Sequence, residues 1–582
     1  MLCLFIMISN KISYTLGICN DETASACLFN NGVLVAAVSE ERFSRKKLDK
    51  SFPIKAIGYV LKHANINLRS VENISYAWAK DFHPELKLKY DKRSADCKKI
   101  SNDSFKIFSE RIKWEVKSDK KKREEFQEWA KSSLTQQQLK SMTRFYHHEA
   151  HAASAALLSP FTKGLVLTSD GRGDFEALAI WLFDRNNPEP LTKVYSSTSS
   201  DSLGYFYGRI TGLLGFKPMR HEGKVTGLSA HGDPSKAQSL MRKMIDVKDG
   251  ELIASLGDYY RPFFAPYSEA LVTEVKKFSR EDIAAAAQKH LEWCLCEILS
   301  YHSKKLNLGS MPLMLGGGTF GNVKATQALK SLDCVSKVFV QPQMGDGGLC
   351  IGAAALSVHL RKLKVQPLED VYLGPLVQID EIDVWKNKFP NLRFDVCSSI
   401  ENKMCEDLIN NRVLGLVRGR MEFGPRALCN RSIIYKTSDK NINDWLNTRL
   451  GRNEFMPFAP VIRSETAKVA FKHYFSDDLT LRFMTSTIYC SEEFAKKCPA
   501  VTHLDQTARP QIVHKDRDPF LWTLLEKWEE VSGEMALVNT SFNAHEEPII
   551  CNEREAIDAL VDGLVDILYI KDIRISLVKN FE

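Results

Sequence analysis

Short apolar runs of period two alternate with longer stretches of period 3.6 along most of the chain, a mixture that predicts an α/β protein. Residues 13–18 and 24–29 alternate, Asn30-Asn31-Gly32 supplies turn formers, and 33–38 returns, the pattern of a hairpin. Residues 53–64 read as a helix. Residues 165–168 form a buried strand ending at Ser169-Asp170-Gly171, with 177–183 as its hairpin partner. A further helix spans 281–299: Ser279 and Asp282 make a capping box, and Ile283, Ala287, Cys294, Leu295 and Ile298 share a face. Two more short strands, 313–315 and 337–340, run into Gly316-Gly317-Gly318 and Gly345-Asp346-Gly347-Gly348. Open α/β sheets bind ligands at strand C-termini of this kind. A Pro/Gly-bearing boundary falls near 365–375, and no short internal repeat is visible.

Composition narrows the class. With 582 residues, 44% apolar and 26% charged, the chain can bury a sizeable core, and its length predicts two to four folded units. The net charge of +7 is local. Residues 87–123 hold 14 Lys/Arg against 6 Asp/Glu, a balance of +8, so the other 545 residues sum to −1. This Lys/Glu-rich stretch interrupts the α/β rhythm as an insertion. Its run Asp119-Lys120-Lys121-Lys122-Arg123 suits a localisation or phosphate-binding cluster, and its plainer reading is a solvated helix. Residues 1–8 are apolar but too short for a membrane span and lack signal-peptide features. Fourteen cysteines without C-x-x-C pairing read as reduced thiols of a cytoplasmic protein.

Several clusters carry chemistry. His147 and His151 lie one helical turn apart, a spacing that lets both imidazoles reach one metal and that ordinary helices also show. Asp170 and Asp346 each follow an apolar strand beside glycines. Two His with one or two carboxylates suit Fe(II), Mn(II) or Zn(II). Gly316-Gly317-Gly318-Thr319, with Asn322 at a helix start, forms an approach loop for a phosphate or adenosine, or simply a tight turn. His221-Glu222-Gly223-Lys224 adds a lysine beside a glycine. Residues 419–432 pack Arg420, Arg426 and Arg431 into a turn-rich stretch suited to bidentate anion binding. Arg449, Arg452 and 455–460 extend that region, and Asn539-Thr540-Ser541-Phe542-Asn543 offers hydroxyl and amide groups to a phosphate or carbamoyl group.

Taken together these motifs resemble the NodU/CmcH family of O-carbamoyltransferases. The resemblance runs over 40–47, the His147–His151 turn, Asp170-Gly171, 223–228, the triple glycine, 345–348, 422–432, 457–460 and 539–543. It implies an N-terminal domain, 1–365, similar to the threonylcarbamoyltransferase domain of the actin-like ATPase (ASKHA) fold, with the basic insertion at 84–140. It also implies a YrdC-like α/β domain at 371–582. The implied reaction makes carbamoyl-adenylate from carbamoyl phosphate and ATP, then passes the carbamoyl group to a hydroxyl of a small natural product or sugar. By the same resemblance Arg426, Arg431, Ser541 and Asn543 handle carbamoyl phosphate. His147, His151, Asp170 and Asp346 hold a divalent metal, Fe(II) first. Lys46, Gly223, Lys224, Gly316, Gly317, Gly318, Asn322 and Arg452 hold the nucleotide. The family pattern carries His-Asp after the first strand, whereas this chain reads Asn20-Asp21-Glu22-Thr23, which leaves acceptor activation to Glu22 or Asp21. The lysine before the Pro-Phe-Ala-Pro run is replaced by Leu450-Gly451, leaving Arg449 or Arg452 to compensate. Expected partners are the two donors and the acceptor, with a homodimer allowed and neither membrane nor nucleic acid expected. A tRNA threonylcarbamoyl-type enzyme and an inactive relative are the alternatives.

Overall fold

The computed structural model describes residues 13–78, 84–261, 265–377, 379, 382–451 and 457–578. The apolar opening residues 1–8, Arg452 and the 455–456 part of the 455–460 run lie outside them.

The first hairpins form as their alternation dictates. Strands β1 (Tyr14–Cys19), β2 (Ser25–Asn30) and β3 (Val33–Ser39) pair antiparallel, and Asn31 and Gly32 turn the second pair with positive φ. Helix α1 (Ile54–His63) follows. Strands β4 (Asn73–Tyr76) and β5 (Thr143–Arg144) then add in parallel, giving the order β3-β2-β1-β4-β5.

Between β4 and β5 lie α2 (Pro84–Ile100) and α3 (Asn102–Ser133). The latter spans about 48 Å at 1.5 Å per residue. This basic stretch is not simply a solvated helix. Phe108, Arg111, Glu115, Asp119, Phe126 and Ala130 are buried, and their three- and four-residue spacing marks one face turned into the protein. Buried charge is why the face is hard to see: half of the stripe is ionic and was counted as exposed. The outward lysines Lys120 and Lys121 stand one turn from Glu124 and Glu125.

Helix α4 (His147–Ala156) then crosses to a second sheet. Its strands are β6 (Lys163–Gly173), β7 (Glu176–Asp184), β8 (Leu191–Thr198), β9 (Met311–Gly316) and β10 (Val335–Val340), in the order β10-β9-β6-β7-β8. β6, β7 and β8 pair antiparallel, while β9 and β10 add in parallel. Both sheets therefore have the connectivity 3-2-1-4-5, the duplicated architecture of the actin-like fold. The chain has no sequence repeat at this level because a topology constrains which positions are apolar, not which apolar residue fills them. Helix α5 (Glu222–Leu228) and the long helix α6 (Arg280–Lys305) come before β9, and Ser279 caps α6 as the sequence indicates.

Helix α7 (Leu349–Leu360) packs against α4 between the two sheets. Both helices are rich in alanine at the contact, and Gly352 lets the backbones touch: a Cβ there would stand 1.8 Å from the Ala150 carbonyl oxygen.

The C-terminal part carries an eight-stranded mixed sheet that includes Leu414–Val417, Arg431–Lys436, Ala459–Arg463 and Leu537–Ser541. One apolar cluster joins it to the first part, uniting Ala150, Ala353 and Leu356 with Phe423, Leu428 and Phe483. Charged contacts stitch the same boundary: Lys324 to Asp505 at 2.6 Å, Arg42 to the Gly424 carbonyl at 3.2 Å, and Arg45 to the Pro548 and Ile549 carbonyls at 2.9 Å. The thirteen described cysteines are free thiols. Among the described residues, no helix is long and apolar enough to cross a membrane.

Candidate functional site

Four side chains converge where β6, β10 and α4 meet. The backbone N–H of His147 donates to Asp174 Oδ2 at 2.9 Å, which fixes the first turn of α4. His147 and His151 then face one way, both fully buried. A bulge in β6 after Ser169 places Asp170, and the turn leading into α7 places Asp346. The Nε2 atoms of the two imidazoles stand 3.0 Å apart, and His151 Nε2 is 3.0 Å from Asp170 Oδ2. Asp346 Oδ1 is 3.6 Å from each Nε2, and His147 Nε2 is 3.6 Å from Asp170 Oδ2. An ion with bonds of about 2.1 Å needs donors separated by about 3.0 Å along an octahedral edge or about 3.4 Å along a tetrahedral one. The donor set fits a divalent cation in spacing and in chemistry, two imidazoles and two carboxylates.

Without a cation the cluster holds its charge through protons. Burial works against protonating His151, but hydrogen bonds to Asp170 and Asp346 prevail and lift it to about 9. Burial lowers His147 to about 4. Asp346 is pushed well above the usual carboxylate range by burial and by the charges of Asp170 and Asp21, whereas Asp170, despite its burial, is held well below it by the two histidines. His148, between the two, points away and bonds Thr168 Oγ1 at 2.9 Å.

Beside this cluster lies a cavity of about 410 Å³, enough for a nucleotide-sized ligand. Asp170, Gly318, Asn322, Gly223, Glu22 and Arg426 all line it. Gly318 lines it, whereas Gly316 and Gly317 do not. Gly317 has φ +105, and a Cβ on it would meet the Ser169 carbonyl oxygen at 2.2 Å; one on Gly318 would stand 3.1 Å from Asp170 Oδ1. Gly316 passes equally close to His151. Asn322 caps the helix Val323–Lys330 and donates to Gln288 Oε1 at 2.8 Å, and Gln288 also accepts from Tyr207 at 2.7 Å. Lys224 is buried in α5.

The C-terminal part contributes one arginine to this cavity. Arg426 Nη2 donates to the Gly321 carbonyl at 3.0 Å, and its buried Nε has no hydrogen-bond partner. Burial pushes the guanidinium down to about 10. The other arginines of 419–432 are not placed for anion binding. Arg431 is fully buried and directs its Nη1 and Nη2 to the carbonyls of Arg418, Asn430 and Pro375 at 2.7–2.9 Å; its Nε, like that of Arg426, has no hydrogen-bond partner, but Arg431 does not line the cavity. Arg420 bonds the Leu373 and Gly374 carbonyls. Glu422 organises the loop by accepting from the backbone of Leu428, Asn430 and Arg431. Glycine- and proline-rich geometry serves that internal bonding, so three arginines yield one cavity-facing charge.

Other expected residues are dispersed. Ser541 pairs in register with Ser432, next to Arg431. Asn543 closes its own loop through the Ala544 and Glu547 carbonyls at 2.7 and 3.1 Å. Lys46 is exposed, and does not line the cavity. Arg449 does not stand in for a missing lysine: it bonds Asp566 at 2.9 Å and the Gly563 carbonyl at 2.6 Å. His221, His545 and Glu546 also gather, but Arg220 pairs with the same Glu546 carboxylate and makes this an ion-pair hub.

After β1 the side chains diverge. Asn20 turns away, accepting from Tyr76 at 2.5 Å and donating to Glu125 at 3.1 Å. Asp21 pairs with Lys122 of α3; burial alone would raise it, but the ammonium holds it below its usual value. Glu22 pairs with Lys50 at 2.5 Å, yet burial raises its carboxyl above the ordinary value. Trp78 packs edge-on against His147, ring centroids 4.9 Å apart. Sequence reasoning passed over Lys122, Trp78 and Gln288. Nothing separates Lys122 from its neighbouring lysines in the sequence, and Gln288 falls within an ordinary helix.

Comparison with known proteins gives two family matches, Carbamoyltransferase N-terminus over residues 15–355 and Carbamoyltransferase C-terminus over 405–576. An uncharacterized protein of Methanocaldococcus jannaschii is 30% identical over 97% of this chain and 100% of its own length. The nodulation protein NolNO of Sinorhizobium fredii is 28% identical, covering 93% of this chain and 77% of its own. The nodulation protein NolO of Bradyrhizobium diazoefficiens is 32% identical, covering 72% and 77%.

Proposed function

Since the chain belongs to the carbamoyltransferase family, we propose that it is an ATP-dependent O-carbamoyltransferase whose cavity beside the His/Asp cluster holds a carbamoyl-adenylate. In this reading residues 371–582 act as a YrdC-like domain in which water releases inorganic phosphate from carbamoyl phosphate and the resulting carbamate attacks the α-phosphate of ATP, expelling pyrophosphate and leaving carbamoyl-adenylate, and residues 1–365 transfer the carbamoyl group to a small hydroxyl-bearing acceptor. The observation that carries it is the meeting of Arg426, from the C-terminal part, with the Gly318–Asn322 loop over one nucleotide-sized cavity.

Each residue then has a task. Gly318 lets a phosphate approach the backbone closely. Arg426, desolvated and with an unused Nε, neutralises the phosphate without a reorganisation cost at the moment of reaction. Glu22, its carboxyl raised by burial, accepts the acceptor's hydroxyl proton as the oxygen bonds the carbamoyl carbon and AMP leaves. His147, His151, Asp170 and Asp346 would hold a divalent cation, Fe(II) on the family resemblance, which supplies a Lewis acid beside the leaving phosphate. A nucleic-acid partner gains no support: Lys122 points inward, and Lys120 and Lys121 sit beside acids.

The test is purified protein with ATP, carbamoyl phosphate and a panel of hydroxyl compounds. The expected result is AMP, pyrophosphate and inorganic phosphate in equal amounts, formed only when carbamoyl phosphate is present, with an acceptor product heavier by one carbamoyl group. AMP release that ignores carbamoyl phosphate, or transfer that proceeds without ATP, refutes the adenylate route.

A further inference from the structure

Helix α3 was the part of the chain with the least evident task, and its inner face runs straight to the His/Asp cluster. Lys122 Nζ bonds Asp21 Oδ2 and sits 4.0 Å from the centroid of the Trp78 ring, the same ring that packs against His147. The helix is locked at this height. Phe126 stacks on Tyr76 with centroids 3.9 Å apart and planes 2° from parallel, and the Lys122 carbonyl accepts from Tyr76 at 3.2 Å and from Asn20 at 3.2 Å. One turn earlier, Asp119 takes Arg172 at 2.7 Å, and Glu115 takes Arg111 at 2.6 Å. Those two pairs are internally neutral, and the cation of α3 that bonds the Asp21 carboxylate is Lys122.

Carboxylates crowd the cluster: Asp170 and Asp346 within it, Asp21 and Glu22 beside it, and Asp174, which accepts from the His147 backbone N–H. Lys50 answers Glu22 and Lys122 answers Asp21. Within the donor set itself stand Asp170 and Asp346 with the two imidazoles. An unanswered Asp21 would leave the site with an excess negative charge facing the phosphate of its substrate.

We propose that Lys122 is a positioning residue of the transfer site: it fixes and neutralises the Asp21 carboxylate, so that α3 sets the charge seen by a divalent cation and an anionic adenylate. This rests on the metal reading proposed above. Its residues outside the cation's own donor set make it testable without turnover.

The probe is Co(II) alone, titrated into metal-free full-length protein and followed by its visible absorption. Lys122→Met should bind Co(II) about ten-fold more tightly or better, because the freed carboxylate adds an attraction. Asp21→Asn should bind it more weakly by a similar factor, because the lysine is then unanswered. The double variant should return close to the wild-type affinity, and Lys122→Arg should stay near it. Removing one member of a buried pair destabilises a fold. If Lys122→Met does not fold, Asp21→Asn and the double variant carry the same comparison. Equal Co(II) affinity and spectra across folded wild type, Asp21→Asn and the double variant would overturn the proposal. Wild-type protein that binds no Co(II) would refute the metal reading and this inference with it, a distinguishable failure.

Discussion

Gly352 lies in the middle of α7, away from the reacting groups, and its replacement by alanine tests how the cation site is built. The new Cβ would stand 1.8 Å from the Ala150 carbonyl oxygen and 2.6 Å from its carbon, against 3.4 Å for ordinary contact. Both partners are helix backbone, so no rotamer change relieves the clash. The helices must part by about 1.6 Å, a shift large beside the 3.0–3.6 Å that separates the four donor atoms. Because α4 carries both histidines and Asp346 leads into α7, the movement spreads the donor set. Overpacking of this kind costs about 1–3 kcal/mol or more, and a chelate spread by over an ångström loses much of its affinity. Gly352→Ala is therefore expected to lower the thermal midpoint and to weaken Co(II) binding at least ten-fold. Gly58→Ala in α1 is the matched control. No atom lies within 4 Å of its added Cβ, so the same change should leave binding alone and raise helix stability by up to about 1 kcal/mol. Wild-type Co(II) affinity in Gly352→Ala would refute the idea that α4–α7 contact holds the donor geometry.

Three further outcomes are expected. Arg426→Ala should cut kcat/KM for AMP formation or carbamoyl transfer by about ten- to a hundred-fold, the cost of about 1.5–3 kcal/mol of charge-assisted hydrogen bonding; unchanged rates would remove the residue from the site. Glu22 works as a base only when ionised, and burial raises its carboxyl. Transfer should thus fall as pH drops through a limb lying above the ordinary glutamate value, and Glu22→Gln should abolish that limb while pyrophosphate release from ATP, the earlier step, persists. Phe126→Ala empties a fully buried ring site under α3, so chemical denaturation should show a loss of about 3–5 kcal/mol; a loss below about 1 kcal/mol would mean that the helix is not held by that stack.

Local patterns carried the α/β elements well, because period two and Asn-Gly turns act over a few residues. The hairpin at β2–β3, the Ser279 cap and the strands ending at Asp170 and Gly316 were all legible. The four donors do cluster, but the histidine spacing alone is shared with ordinary helices, and it took the acids beside glycines and the family resemblance to join them. What escaped was whatever depends on a partner distant in sequence. Arg426 and Arg431 are five residues apart and equally basic, yet one meets the Gly321 carbonyl and the other is consumed by its own loop. Lys122 is indistinguishable from Lys120 and Lys121 until Asp21 and Trp78 are in place. The duplication stayed hidden for the same reason, as it lives in strand connectivity alone.

That duplication has a consequence for how the two acidic turns came to differ. Asp21 lies just past the first strand of one sheet and Asp170 in the bulge near the end of the first strand of the other, so the two occupy corresponding places in the shared strand order. Two copies facing one shared cleft need only one set of ligands. The pair can then break symmetry: one acid joins the donor cluster, and its counterpart is free to acquire a different neighbour. The inserted helix exists in only one of the two halves, which gives the cleft unlike walls from like beginnings.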